Sequence, residues 1–258
     1  MVESVKRAVR ILQELTGASP RLGVTDLAAR LGISKSAVHG LLRTLESDGL
    51  VVQDAESGKY RLGPALVIFG NAYLDTHELR TRAVTWSNLL AARTGEAVWV
   101  GVLVHDEVMV VHHAFRPESV VQALETGATL PWSASALGKA VVAFSSEELQ
   151  QRLLSTPPAA LTGRTITEPA ALAAQLARAR EVGYALESQE ATLGDAGIAA
   201  PVFDRTGAVA GAIGVIGPVE RLLDDERRQS YAIATRETAR NLSRELGALR
   251  ADGRRAPF

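Results

Sequence analysis

Apolar residues recur at a three-to-four spacing in three consecutive stretches at the start of the chain, the period of a helix with one buried face. Val5, Ala8, Val9, Leu12 and Leu15 form the first stripe and predict a helix over 4–15. Leu27, Ala28 and Leu31 predict a short second helix, capped by Thr25 with Asp26 in its first turn and stopped at Gly32, where a positive φ is cheap. Ile33 fills the turn, Ser34 caps a third helix, and Val38, Leu41, Leu42 and Leu45 seat that helix on the core. Residues 50–53 and 59–62 are then two short extended runs around a turn, with Gly58 at its left-handed position, which predicts a hairpin.

Three short helices and a hairpin in this order predict a winged helix-turn-helix. The competing reading, a helical subdomain with a solvated charged face, accounts for neither the paired caps nor the hairpin. The third helix leaves a polar, small-residue face at its N-terminal end, where a recognition helix meets base edges and phosphates. The candidate DNA-binding residues are Thr25, Ser34, Lys35, Ser36, His39, Gly40 and Arg43, with Lys59 and Arg61 on the wing. The expected partner is double-stranded operator DNA.

Beyond Pro64, residues 65–74 are apolar and poor in Gly and Ser, predicting a stiff helical connector. Its apolar surface needs a cover, either the rest of its own chain or the same segment of a second subunit. Residues 77–93 predict a helix presenting Leu79, Val84, Trp86, Leu89 and Leu90, closed near Gly95. Two β-branched runs, 97–104 and 108–115, turn at His105 to Glu107. Helices follow over 135–144 and 146–154, the latter capped by Ser146, and another runs to Val182, capped by Thr167 and ended by Gly183. Runs at 184–187, 197–203 and 208–216 return to sheet, and a long helix over 224–250 finishes the pattern. The fold class expected is α+β. A winged domain (1–63) is joined through a helical linker (64–78) to an antiparallel-sheet domain (79–250), with a disordered tail (251–258).

The chain has 258 residues, 47% of them hydrophobic and 22% charged, enough for two packed domains. It has no cysteine, which excludes disulfides and thiolate metal sites. No apolar run approaches the roughly 20 residues of a membrane span. No membrane association and a cytoplasmic location are expected. Net charge is −1, unevenly spread: residues 1–65 hold nine basic and seven acidic side chains, net +2, which leaves −3 for the remainder. So small an excess supplies little phosphate affinity from one copy, and implies two winged domains acting on one site in a homodimer or a dimer of dimers.

The candidate chemistry is that of binding. His112 and His113 are adjacent on a strand and so point to opposite faces, which argues against one shared metal ion. Ordinary hydrogen-bonded strand histidines, or one histidine facing a pocket, are the alternatives. Ser133 and Ser135 lack the nucleophile turn of a hydrolase. The Gly-rich stretch 207–217 lacks the Lys-Ser/Thr of a phosphate loop. Glu187 and Glu190 invite a paired-acid reading, but one pocket residue and one surface residue is the preferred one. No catalytic residue, metal or cofactor is expected. The helix beginning near Ser133–Gly138 offers unpaired N–H groups to a carboxylate or phosphate, with Trp132 as a wall.

Three segments resemble the IclR family of bacterial transcriptional regulators. They are Ser34-Lys-Ser-Ala-Val-His39, Gly127-Ala-Thr-Leu-Pro-Trp-Ser-Ala-Ser-Ala-Leu-Gly-Lys-Ala140, and Gly197-Ile-Ala-Ala-Pro-Val-Phe-Asp204 with Gly211-Ala-Ile-Gly-Val-Ile-Gly-Pro218. The resemblance implies a GAF-like effector domain, and an effector lined by Leu130, Ala136, Leu137, Glu187, Gly197, Gly214 and Ile216. Gly214 and Ile216 stand where acid-sensing members carry hydroxyls, which argues against a glyoxylate-like ligand. Leu74-Asp-Thr-His-Glu-Leu-Arg80, Gly95-Glu-Ala-Val98 and Val111-His-His-Ala-Phe-Arg-Pro117 are similar to the glycerol-operon regulators of the family. That likeness implies a repressor of a glycerol-catabolism operon, released by glycerol or glycerol 3-phosphate. The alternatives are an activator sensing an aromatic or other small organic acid, and a GAF-like sensor or enzyme module with an accessory DNA-binding domain.

Overall fold

The structure is a computed structural model and describes residues 2–17, 19–117 and 123–248. The chain divides into two compact units, one up to Thr76 and one from His77 onward.

The first unit holds α1 (Glu3–Glu14), α2 (Val24–Leu31), α3 (Lys35–Ser47), the hairpin β1 (Val51–Gln53) and β2 (Tyr60–Leu62), and α4 (Ala65–Thr76). Its core is Ile11, Leu15, Leu22, Leu27, Leu31, Val38, Leu42, Leu45, Val51 and Tyr60. The stripe expected on α1 is only half right. Ile11 and Leu15 are buried, Ala8 and Leu12 are half-buried, and Val5 and Val9 are exposed. It is the C-terminal half of the helix that joins the core.

Thr25 is not a cap. α2 starts two residues earlier, on extended Gly23, and Asp26 reaches back to accept the Gly23 N–H at 3.1 Å. Gly32 ends α2 at φ +67°, as its position predicts. In the wing Val51 pairs with Leu62 and Gln53 with Tyr60, and Leu22 bridges to Tyr60. Gly58 takes φ +66°. The wing returns so close to the end of α3 that a Cβ on Gly63 would lie 2.1 Å from the Gly49 carbonyl oxygen, so only glycine fits there. α4 buries no residue, and Val67, Ile68, Phe69 and Tyr73 are exposed.

The second unit is a six-stranded antiparallel sheet between helical layers. Its elements are α5 (Glu78–Thr94), β3 (Ala97–Val104), β4 (Glu107–Ala114), β5 (Thr129–Pro131), α6 (Ala136–Ala143), α7 (Glu147–Leu154), α8 (Pro169–Val182), β6 (Ala185–Ser188), β7 (Asp195–Phe203), β8 (Val209–Pro218), α9 (Val219–Leu222) and α10 (Asp225–Glu245). The strand order is β5-β4-β3-β8-β7-β6. α5 and α10 pack together against one face, while α6, with α7 and α8 behind it, covers the other.

Several expectations are corrected here. On α5, Leu89 is exposed and the buried positions are Leu79, Ala83, Ser87, Leu90, Ala91 and Thr94, a phase set by the sheet beneath. Glu168, not Thr167, is the N-cap of α8; its side chain makes no cap hydrogen bond, and Pro169 fills the first helical position. The last helix ends at Glu245, where Gly247 at φ +82° turns the chain and the Ala248 N–H closes onto the Ser243 carbonyl. β5, α9 and the 3₁₀ turn Trp132–Ala134 were not foreseen, being too short for a period to register. The tail 251–258 lies outside the described residues. Among the described residues no helix is long and apolar enough to cross a membrane.

Candidate functional sites

The first candidate site is the outer face of α3 with the wing. The Ser34 hydroxyl accepts the Ala37 N–H at 3.2 Å and lies 3.0 Å from the Ser36 hydroxyl, fixing where α3 begins. Lys35, Ser36, His39, Gly40 and Arg43 are all exposed along that face. A Cβ on Gly40 would meet nothing within 4 Å, so another surface can approach the backbone there. Thr25, Lys59 and Arg61 are exposed as well. Among the described residues no carboxylate forms an ion pair with Lys35, Arg43, Lys59 or Arg61, in contrast to Arg30, which Glu14 holds at 3.1 Å. The wing tip is tied by Asp54, which accepts the Ser57 hydroxyl at 2.7 Å and the Ser57 N–H at 2.9 Å. Those hydrogen bonds hold its carboxyl below the usual carboxylate range. The arrangement is a row of free cations and hydroxyls on a rigid three-helix body, suited to phosphate and base-edge contacts.

The second candidate site is a cavity at the N-terminus of α6, with about 410 Å³ of space not filled by atoms, part of it open to solvent. Of the residues expected there, Leu130, Ala136, Leu137, Glu187 and Ile216 line it. Gly197 backs it: a Cβ at that position would stand 3.0 Å from both Ala136 Cβ and Ile216 Cδ1, and 3.6 Å from Glu187 Oε2. Gly214 is not in the lining; it sits in register between Trp99 and Ala199, its space closed by Ala199 Cβ.

Trp132 is not a wall of this cavity. It is 5% exposed and packs in the core between sheet and helices. A Cβ on Gly138 would come within 2.3 Å of the Trp132 carbonyl oxygen, so the first turn of α6 folds tightly back on that segment. The tryptophan in the lining is Trp99, joined by Ala134, Ser135, Ala191, Thr192 and Asp195. Trp99 and Ile216 lie on neighbouring strands, β3 and β8, and the alternation of β3 was the one available signal that Trp99 shares a face with them.

The polar end of the cavity is a linked set. The Ser135 hydroxyl accepts the Gly138 N–H at 3.0 Å and caps α6. Glu187 Oε1 accepts the Glu190 N–H at 2.6 Å. Glu190 is not a surface residue. It is buried, and its Oε1 lies 2.6 Å from Nζ of Lys139, itself 1% exposed. Burial pushes the Glu187 carboxyl up to about 7, with the Glu190 charge adding to the rise, while main-chain N–H groups and Lys139 oppose it. Burial also lowers the Lys139 ammonium below its ordinary value, against the pull of Glu190. Among the described residues the lining carries two carboxylates, Glu187 and Asp195, and no basic side chain.

His112 and His113 do point apart. His113 accepts the Glu125 N–H on Nδ1 at 3.3 Å and meets Trp99 edge-on at 5.9 Å between ring centroids, whereas His112 stands near Arg80 of α5. Burial lowers both. Neither lines the cavity. Among the described residues no group of three or more His, Asp and Glu could hold a metal ion.

A winged helix-turn-helix together with a cavity-bearing antiparallel-sheet domain is the build of a ligand-responsive transcription factor. Residues 4–55 match the IclR helix-turn-helix domain, and residues 71–244 match the bacterial transcriptional regulator IclR C-terminal domain. The chain belongs to the IclR family of transcriptional regulators. It is 44% identical over 248 residues to a glycerol operon regulatory protein of Streptomyces griseus, covering 96% of this chain and 97% of that one. It is 43% identical, over 96% and 97% of the two chains, to a glycerol operon regulatory protein of Streptomyces coelicolor. An IclR regulator from Alicyclobacillus acidocaldarius superposes with a TM-score of 0.83 at 29% identity, over 96% of this chain and all of that one. An IclR homologue from Microbacterium hydrocarbonoxydans complexed with 4-hydroxybenzoate gives 0.78 at 25% identity, over 95% and 100%.

Proposed function

We propose that this regulator represses a glycerol-catabolism operon and is released when a small hydroxylated metabolite enters the cavity at the N-terminus of α6. The likeness to two glycerol operon regulators over nearly the whole of both chains carries the reading. The lining supports it: carboxylates at Glu187 and Asp195 accept hydrogen bonds from hydroxyls, and Trp99, Leu130 and Ile216 cover a short carbon chain. Glycerol meets those demands without bringing a negative charge to the carboxylates, so it is the first ligand to test and glycerol 3-phosphate the second.

On this reading Ser34, Lys35, Ser36, His39, Gly40 and Arg43 meet the operator in the major groove. Thr25, Lys59 and Arg61 contact the phosphates beside it. The exposed apolar side of α4 serves a homodimer, or a dimer of dimers, in the cytoplasm. Effector occupancy then alters the spacing of paired winged domains and so the fit to two half-sites.

The test is a gel shift on the intergenic DNA flanking the gene, with glycerol, glycerol 3-phosphate and 4-hydroxybenzoate added in turn. Retardation reversed by glycerol or its phosphate supports the proposal. Retardation reversed by 4-hydroxybenzoate alone would move the regulator to the sensing of aromatic acids.

A further inference from the structure

We propose that Lys139 and Glu190 are positioning residues of the effector cavity, a buried ion pair that holds one main-chain N–H against Glu187 and so sets which carboxylate oxygen a ligand meets. This rests on reading the cavity as the effector site.

Lys139 lies in the first turn of α6 and Glu190 in the turn between β6 and β7, 51 residues away. Their side chains are 1% and 5% exposed. Taking two charges out of water costs more than a single contact usually returns, and well-packed apolar replacements are commonly neutral or stabilising. The surroundings already supply an apolar core in Ala136, Leu137, Ala140, Leu172 and Leu176. Stability alone therefore does not call for ions here.

What the pair does is geometric. The turn is held from outside, where the Thr162 hydroxyl donates to the Gln189 carbonyl at 2.6 Å and the Thr165 hydroxyl to the Glu190 carbonyl at 2.7 Å. Gln189 takes a left-handed φ of +58°. Lys139 pulls the Glu190 side chain inward, and the Glu190 N–H then falls 2.6 Å from Glu187 Oε1. Oε1 takes the Glu190 N–H and Oε2 lies toward Gly197, with the Ala191 N–H also acting on the carboxyl. The charged groups facing Glu187 are Lys139 from α6, Glu190 from the turn and Asp195 at the start of β7.

The test is made on the full-length protein by NMR. In the wild type the amide proton of Glu190 moves downfield as Glu187 ionises, because the carboxylate accepts it. In Lys139→Met/Glu190→Met the amide of residue 190 loses that pH-dependent shift. Loss of the N–H raises the Glu187 midpoint, while the removed Glu190 and Lys139 charges act on it in opposite directions, so the amide shift and not the midpoint is the deciding readout. Glycerol affinity at neutral pH, read by calorimetry, falls about tenfold or more, the worth of one charge-assisted hydrogen bond. Lys139→Arg keeps charge and donors and retains the wild-type shift.

Should the double variant not fold, Glu190→Ala, which removes the side chain that Lys139 holds, is measured in the same way. A residue-190 amide that still reports the ionisation of Glu187 in either variant overturns the proposal. Wild-type protein that binds neither glycerol nor glycerol 3-phosphate sinks the effector assignment, while the amide titration still decides the role of the pair.

Discussion

The Glu190 main-chain N–H donates to Glu187 Oε1 across 2.6 Å, and with Lys139 and the Ala191 N–H it favours ionisation of a carboxyl that burial pushes up to about 7. Because the folded value lies above the ordinary 4.5, folded protein keeps a proton on Glu187 that unfolded protein has released between those two values. The contribution of Glu187 to stability is therefore full below about pH 4.5 and is lost as pH rises through about 7. Glu187→Gln removes the titration. The stability of the variant relative to wild type should rise by about 1–3 kcal/mol between pH 5 and pH 7.5. Urea unfolding at both pH values measures it, and a difference that does not change with pH would show that Glu187 ionises normally in the fold.

Arg43 stands exposed on α3, one turn beyond His39, with no carboxylate holding it among the described residues. Arg43→Ala should lower operator affinity by about 1–3 kcal/mol if it reads a base edge, leaving the circular dichroism and melting of the protein unchanged. Lys59→Ala on the wing should weaken all DNA alike and reduce the slope of log affinity against log salt by about 1. Gel shifts at several salt concentrations separate the two roles. Equal losses on operator and random DNA for Arg43→Ala would make it a phosphate contact instead.

The Ser34 hydroxyl accepts the Ala37 N–H at 3.2 Å, an N–H that has no helical partner at the start of α3. Ser34→Ala should cost about 1 kcal/mol of stability, whereas Ser34→Asp should keep the cap. Operator affinity falls in Ser34→Ala if the first turn frays, and thermal melts with parallel gel shifts test both effects.

The parts of this architecture that were legible in the sequence are those written by neighbours. Ser34, Gly32 and Gly58 announce their turns because cap and left-handed positions are filled by few residue types. Residues placed by distant partners were not legible. Glu190 reads as a surface acid until α6 brings Lys139 to it, and Trp99 joins the cavity only once the register of β3 against β8 is known. The sequence places Trp132 at a cavity wall, whereas the close approach of Gly138 turns the segment into the core. The phases of α1 and α5 slipped for a related reason: periodicity shows that a face exists, and only the packed partner shows how far along the helix it is covered.

That limit bears directly on α4, whose sequence is largely apolar and which has no fully buried residue. Val67, Ile68, Phe69 and Tyr73 are 63%, 70%, 62% and 44% exposed, a run of large side chains that a monomer in water rarely leaves bare. If a second copy covers this helix, a charge there acts on assembly and not on folding, because no core contact is removed. Ile68→Glu should therefore give a protein with wild-type helix content that sediments as a monomer at micromolar concentration, where the wild type sediments as a dimer or larger. Operator binding should fall with it, since a single winged domain of net charge +2 contributes few phosphate contacts. A dimer that survives Ile68→Glu and Phe69→Glu together would place the subunit contact elsewhere and leave the exposed face of α4 without this role.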